Sequence, residues 1–283
     1  MEIFTRVVAL QNYLANYRKN HVNSILGFVP TMGALHEGHM SLIQNAVEKS
    51  DLIVASIFVN PTQFNNQNDL KTYPSSVEKD QKLLEENGCN ILFLPEVEEI
   101  YTSEYSSEDY EIDFEGIDEV MEGLYRPGHF RGVAMVVERF FQIVQPDLAF
   151  FGRKDFQQVA IIKQMVKYKG IKVDIEVVPT KRNNDGLALS SRNQLLNAEQ
   201  LKHALTLNQT LCYLRSVFDN LTIDELEEEG RKRIDNGKLR LEYISIVDDV
   251  TLRFPQSKNS KITCCVAAYC GDVRLIDNMP LNY

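Results

Sequence analysis

Two histidines stand three residues apart in the run Pro30-Thr31-Met32-Gly33-Ala34-Leu35-His36-Glu37-Gly38-His39. At that spacing on a helix both imidazoles reach one face, and Gly38 between them removes a side chain that would block a ligand's close approach. The N-terminus of a helix offers free N–H groups and the positive end of its dipole to an anion. Two imidazole N–H donors, His36 and His39, would strengthen their contacts as charge grows on a reacting phosphate, which is transition-state stabilisation. Histidine pairs also bind zinc, but the helical pair is usually i, i+4 with further ligands nearby. The phosphate reading therefore ranks first.

A second cluster is Phe151-Gly152-Arg153-Lys154-Asp155-Phe156-Gln157-Gln158. Lys154 can reach phosphate oxygens as a point charge, Gly152 permits backbone approach, and Asp155 can cap a helix or orient a donor. A capped helix with solvated charges explains the same residues equally well. The third is Asp185-Gly186-Leu187-Ala188-Leu189-Ser190-Ser191-Arg192-Asn193, a turn followed by hydroxyls and an arginine. Alone it reads best as a helix cap with a surface arginine. The three clusters together point to a bound triphosphate.

Such residues need a scaffold, and the apolar pattern supplies one. The short run Ile25, Leu26, Phe28, Val29 reads as a strand ended by Pro30, which lacks an N–H for pairing. Leu42, Ile43, Ala46 and Val47 give the stretch His36 to Lys49 one helical apolar face. Residues Leu52 to Val59 form a fully buried strand, completing a βαβ unit and so a parallel sheet. The alternation continues through a helix at Ser76 to Asn87, a strand at Ile91 to Leu94, and a helical stripe from Phe130 to Val144. Then come a strand at Leu148 to Phe151, a helix at Phe156 to Tyr168 and a strand at Val173 to Val178. The fold class is α/β, a doubly wound Rossmann-like parallel sheet domain over residues 1–180. Helices at Ala198 to Phe218 and Ile223 to Asn236, then strands near Tyr243 to Val247 and Ile262 to Tyr269, predict a smaller C-terminal α+β domain over 181–283. The acidic, serine-rich stretch Ser103 to Glu119 reads as a solvated loop or edge.

The 283 residues, 44% hydrophobic and 25% charged, suit one large or two modest globular domains. A net charge of −10, without a long basic run, disfavours broad nucleic-acid binding. The five cysteines are odd in number and contain no Cys-x-x-Cys pair, which favours reduced thiols. Neither a secretory signal pattern nor an apolar run of roughly 18 to 20 residues is present, and the expected location is cytoplasmic, with no membrane partner.

The His-x-Gly-His turn and the later Ser-Ser-Arg loop resemble the HIGH-motif nucleotidyltransferase superfamily. More closely, Pro30 to His39, Phe58 to Phe64, Arg126-Pro127-Gly128-His129-Phe130, Gly152 to Gln158, Asp185 to Asn193 and the ending Val273 to Asn278 resemble the pantothenate synthetase family, the pantoate–β-alanine ligases. The resemblance implies a ligase in which pantoate and ATP give pantoyl adenylate and diphosphate, after which β-alanine displaces AMP to give pantothenate, a coenzyme A precursor. It implies Mg2+ with ATP, a homodimer, and closure of the smaller domain over the ATP site.

Matched motif by motif, His39 takes the family's catalytic position, with His36, Lys154 and Arg192 beside it. Met32, Gly33, Ala34, Leu35, His36, Glu37, Gly38 and His39 would line the ATP site. So would Gly152, Arg153, Lys154 and Asp155, together with Lys181, Leu189, Ser190, Ser191 and Arg192. Gln63 and Gln158 match pantoate-binding glutamines, and Gln63 also a β-alanine contact. An amide can hydrogen-bond hydroxyls without adding negative charge beside a carboxylate. Phe58, Val136 and Val137 would surround the gem-dimethyl group, with ordinary core packing an equal reading for the valines. Arg153 stands where the family commonly has an acid, and Lys181 where it often has an apolar residue. Asp80 lies near a position tied to magnesium, but Lys79 breaks the acidic pair, so no metal ligand is assigned. The stretch Asn65 to Tyr73 is a candidate lid. Rival readings are an adenylyltransferase acting on a phosphorylated cofactor precursor, for which Gln63 and Gln158 have no obvious use, a nucleotide sensor, and an RNA-binding module.

Overall fold

Buried apolar runs alternate with helices that each present one greasy stripe, and they assemble as the pattern requires. The computed structural model describes residues 1–64, 70, 71, 73, 74, 76–102 and 110–283. In chain order the elements are β1 (Glu2–Phe4), α1 (Val7–Asn20), β2 (Leu26–Thr31), α2 (Glu37–Lys49), β3 (Leu52–Ile57), α3 (Val77–Glu86) and β4 (Ile91–Phe93). Two single turns, α4 (Val97–Ile100) and α5 (Glu122–Tyr125), precede α6 (His129–Val144), β5 (Leu148–Gly152), α7 (Phe156–Lys169) and β6 (Asp174–Val178). The remainder is α8 (Ala198–Ser216), α9 (Ile223–Ile234), β7 (Arg240–Asp248), β8 (Ile262–Cys270) and β9 (Val273–Pro280).

The first six strands form one sheet in the order β1-β4-β3-β2-β5-β6, with every pairing parallel. Helices cover both faces. Leu52 and Val54 of β3 enter one core, and Ile53, Ala55 and Ile57 enter the other, which is why that strand is apolar without alternation. Strand order reverses between β2 and β5, where the crevice at the carboxyl ends of an open α/β sheet takes its ligand.

Pro30 does not end β2. The strand runs on to Thr31, paired with β3 through Thr31↔Ile57, while its pairing with β5 stops at Phe28↔Ala149. A strand next to a proline can keep pairing on one side only, so β2 and β5 part at the mouth of the crevice. The acidic stretch also differs from expectation: within residues 110–119, Tyr110, Phe114 and Ile117 are buried in the main core, and only the polar side chains between them face solvent. The sequence pattern gave no sign of β1 or α1, because β1 has three residues and α1 buries only Leu10 and Leu14.

β7, β8 and β9 form an antiparallel sheet. Along β8, Ile262, Cys264, Val266, Ala268 and Cys270 pack in a core with α8 and α9, while Cys265 and Ala267 join the core of the large sheet. Period-two alternation thus makes β8 a buried septum between two layers. Tyr243 and Val247 of β7 do the same, so the cores on either side of residue 180 share a wall.

Candidate active site

The loop after β2 is built to present a helix start. Gly33 and Ala34 both take positive φ, +84° and +49°, a conformation that is strained for alanine. The carboxylate of buried Asp80 on α3 holds that loop, accepting the N–H of Ala34 and of Leu35 at 2.8 Å each. Burial raises the Asp80 pKa, against the lowering effect of those two N–H groups.

His36 is then the N-cap of α2. Its Nδ1 accepts the Gly38 N–H at 3.0 Å, and Nδ1 of His39 accepts the His36 N–H at 3.3 Å. An imidazole nitrogen that accepts carries no proton, so each neutral ring bears its hydrogen on Nε2. Burial, with Lys154 nearby, lowers His36 to about 4. Burial, then His36 and Lys154, lowers His39 to about 3. Both rings are therefore neutral Nε2–H donors near pH 7, and their centroids lie 4.2 Å apart. Gly38 has a local purpose as well: a Cβ there would come within 2.7 Å of the His36 ring.

The other two clusters meet this turn. β5 ends in Gly152, where a Cβ would touch nothing within 4 Å, and a 3-10 turn over Arg153–Asp155 leads into α7. Asn278 of β9 fixes the turn by donating to the carbonyls of Arg153 (3.0 Å) and Lys154 (2.8 Å). Lys154 itself is within 3.3 Å of Asp155. The segment after residue 181 is pinned by Arg182, bidentate on Asp277 at 2.6 and 2.8 Å. Ser190 then caps a 3-10 turn over Ser191–Leu195, and Ser191 donates to the carbonyl of Ala34 at 3.1 Å.

One cavity of about 270 Å³ is lined by Met32, His36, Gly38 and His39 from the first turn and by Gly152, Lys154, Asp155 and Gln158 from the second. Lys181, Leu189, Ser190, Ser191 and Arg192 line it from the third segment, and Gln63 from the loop after β3. Five expected residues do not line it. Ala34 and Leu35 turn their N–H groups toward Asp80, Gly33 donates its own to the Thr31 hydroxyl at 3.3 Å, and Glu37 is exposed. Arg153 points to the small sheet instead, its Nη2 bonded to Thr263 at 3.2 Å and to Asp249 and Tyr283, because the carboxylate and phenol there attract its charge. The candidate lid, Asn65 to Tyr73, lies for the most part outside the described residues.

At the other end of the cavity, Phe58, Val136 and Val137 form an apolar wall while also belonging to the main core. Gln63 is buried; its amide donates to the Met32 sulfur at 2.9 Å, and its oxygen accepts from Asn60 at 3.1 Å. Asn60 is tied in turn to the Gly132 carbonyl, Thr62 and Tyr101. The side-chain amide of Gln158 makes no hydrogen bond among the described residues. Asn60 and His129, both at the cavity, had no assigned role in the sequence; each lay inside a matched motif, which was the available signal. Among the described residues no group of three or more His, Cys, Asp or Glu side chains could hold a metal.

A family model for pantoate-beta-alanine ligase matches residues 2–280. A pantothenate synthetase of Bacteroides thetaiotaomicron is 45% identical over 257 residues, 90% of each chain. Its counterpart in Porphyromonas gingivalis is 43% identical over 99% of each. The crystal structure of the Thermus thermophilus pantothenate synthetase superposes with a TM-score of 0.92 at 37% identity, covering all of both chains. A Francisella tularensis pantoate-beta-alanine ligase, complexed with beta-gamma ATP and beta-alanine, gives 0.81 at 36% identity over 100% and 98% of the two chains. The cleft at the sheet's reversal point and the likeness along the whole length agree: the chain belongs to the pantoate-beta-alanine ligase family.

Proposed function

We propose that this chain condenses pantoate with β-alanine at the expense of ATP, through a pantoyl adenylate, and releases AMP and diphosphate. Family membership over residues 2–280 supports the reaction. The observation that carries the residue assignment is the convergence of two neutral Nε2–H donors and the Lys154 ammonium on one cavity.

In the first step the pantoate carboxylate attacks the α-phosphorus of ATP in line. His36 and His39 donate through Nε2–H to the phosphate oxygens, and Lys154 and Arg192 add positive charge. These groups are fixed before the reaction, by caps, a 3-10 turn and the Asn278 bonds, so little reorganisation is needed as charge develops. The open face of Gly152 and the segment Leu189 to Arg192 give the nucleotide room, with Lys181 at its edge. Gln63 and Gln158 take pantoate's hydroxyls and carboxylate, and Phe58, Val136 and Val137 take its methyl groups. Water is kept from the mixed anhydride by the apolar wall.

Magnesium enters with ATP as part of the substrate. Mg2+ is commonly held by phosphate oxygens, water and at most one or two carboxylates, which suits a cleft whose described residues form no acidic cage. The reading includes a division near residue 180, with residues 181–283 covering the nucleotide end of the cleft. It also includes a homodimer in the cytoplasm. The resemblance implies the dimer, and four buried free thiols suit a reducing compartment.

The test is exchange of labelled pyrophosphate into ATP that requires pantoate, together with AMP formation that requires both pantoate and β-alanine. Exchange without pantoate, or AMP release indifferent to β-alanine, refutes the reading.

A further inference from the structure

The second step needs a nitrogen lone pair aimed at the acyl carbon of the adenylate, and an ammonium has none to aim. A neutral hydrogen-bond acceptor beside the acyl group would hold the amine by its N–H and turn its lone pair inward. Among the neutral acceptors that line the cavity, the side-chain oxygen of Gln158 is open but assigned to pantoate, and those of Thr180 and Asn278 are sealed from contact with a ligand. Both Nδ1 atoms of His36 and His39 are committed to backbone N–H groups. Both oxygens of Glu122 accept from Arg274, and one also from Tyr243. Asp277 is held by Arg182, and Asp155 faces Lys154. The side-chain oxygen of Asn60 already accepts from Thr62 and Tyr101.

His129 is different. It opens α6, is 5% exposed, and lines the cavity. Its Nδ1 lies 2.8 Å from the carbonyl oxygen of Gln63. A carbonyl only accepts, so Nδ1 bears the hydrogen and Nε2 carries a bare lone pair. That is the opposite tautomer to the two histidines of α2. Nε2 has no hydrogen-bond partner among the described residues. Burial, and after it the neighbouring Arg126, lowers the ring to about 4, so the lone pair persists at neutral pH. The carbonyl it grips belongs to Gln63, which ties this acceptor to the pantoate end of the cleft.

We propose that His129 Nε2 accepts a hydrogen bond from the β-alanine nitrogen and orients it toward the pantoyl carbonyl carbon. This rests on the function proposed above. His129 is on this view an amine-orienting residue of the second step with no part in adenylation.

The experiment uses the full chain and two variants. His129→Asn keeps a donor for the Gln63 carbonyl but removes the acceptor at the Nε2 position, whereas the longer His129→Gln can place its oxygen there. Pantoate-dependent pyrophosphate exchange reports the first step, and pantothenate formation against β-alanine concentration reports the second. Interception of the adenylate by hydroxylamine, a small amine that is neutral at pH 7, reports how much folded, adenylate-forming enzyme each preparation contains. Normalised to that rate, His129→Asn raises the β-alanine KM roughly tenfold or more, as expected for losing a hydrogen bond in a closed site. Its exchange stays within about threefold of wild type, and His129→Gln falls between the two. A normalised β-alanine KM and kcat unchanged in His129→Asn overturn the proposal. So does an equal loss of exchange and of pantothenate formation, which would make His129 a mere support for Gln63. Absence of pantoate-dependent exchange in the wild type is a separate result and sinks the parent reading instead.

Discussion

His39 offers the most direct test of the phosphate chemistry, because its two nitrogens do different jobs. Nδ1 accepts the His36 N–H at 3.3 Å and so helps cap α2; Nε2–H is the donor assigned to ATP. His39→Ala removes both. Loss of one positioned donor costs about 2.7–4 kcal/mol of transition-state stabilisation, a hundred- to thousand-fold in rate. Leaving the His36 N–H without its partner costs roughly 1–3 kcal/mol of stability, within the ~5–15 kcal/mol that a domain holds in reserve. His39→Asn separates the effects, since its side-chain oxygen can replace Nδ1 but nothing replaces Nε2–H. Pyrophosphate exchange should therefore fall about a hundred-fold in both variants, while the urea midpoint falls in the alanine variant alone. With a pKa of about 3, only about one ring in ten thousand is protonated at pH 7. The donor is thus the neutral ring, and His39 contributes no acid limb to the exchange rate between pH 5 and 8. Exchange in His39→Asn above a tenth of wild type would refute the reasoning. A limb near pH 6.5 that disappears in the variant would refute it equally.

Three further outcomes follow from the geometry. Asp80→Asn exchanges one of two carboxylate acceptors for a donor facing a loop N–H. It should lose a bond worth about 1.5–3 kcal/mol, partly offset by relief of a buried charge. Exchange should drop while the melting temperature moves by only a few degrees, and unchanged exchange would show that the loop holds itself. Gly132→Ala would put a Cβ 2.6 Å from the carbonyl oxygen of Thr62 and 2.9 Å from the Gln63 nitrogen. Despite a helix-propensity gain of ~1 kcal/mol, it should lower the melting temperature and raise the pantoate KM several-fold, as overpacking costs about 1–3 kcal/mol; an undisturbed KM counts against Gln63 as a pantoate ligand. His36, His39 and His129 all titrate below their unfolded value of 6.5. Their contribution to stability is complete above that pH and declines as pH falls toward 3 to 4, because the unfolded chain binds protons that the folded sites refuse. Urea unfolding at pH 7, 6 and 5 should show that loss, and replacing all three by Gln should flatten it.

The linear sequence carried the periodicities that fix the parallel sheet, the turn residues that place three polar clusters at strand ends, and the motifs that reveal the family. These are local properties: apolar spacing selects helix or strand, and glycine permits the turns. Tertiary structure decided what those residues do. Arg153 and Lys154 are adjacent and both cationic, yet only Lys154 reaches the cleft, because Asp249, Thr263 and Tyr283, roughly 100 residues or more away in sequence, hold the Arg153 Nη2. Pro30 reads as a strand end by its own chemistry but continues β2, since the neighbouring β3 still pairs along it. Asp80 became the clamp of the first turn through contacts 45 and 46 residues away. The tautomers are set in the same manner: His36 and His39 accept from a helix start and expose donors, whereas His129 donates to a carbonyl and exposes an acceptor. Identical side chains acquire opposite chemistry because each imidazole has two nitrogens, and the fold decides which one is left for the substrate.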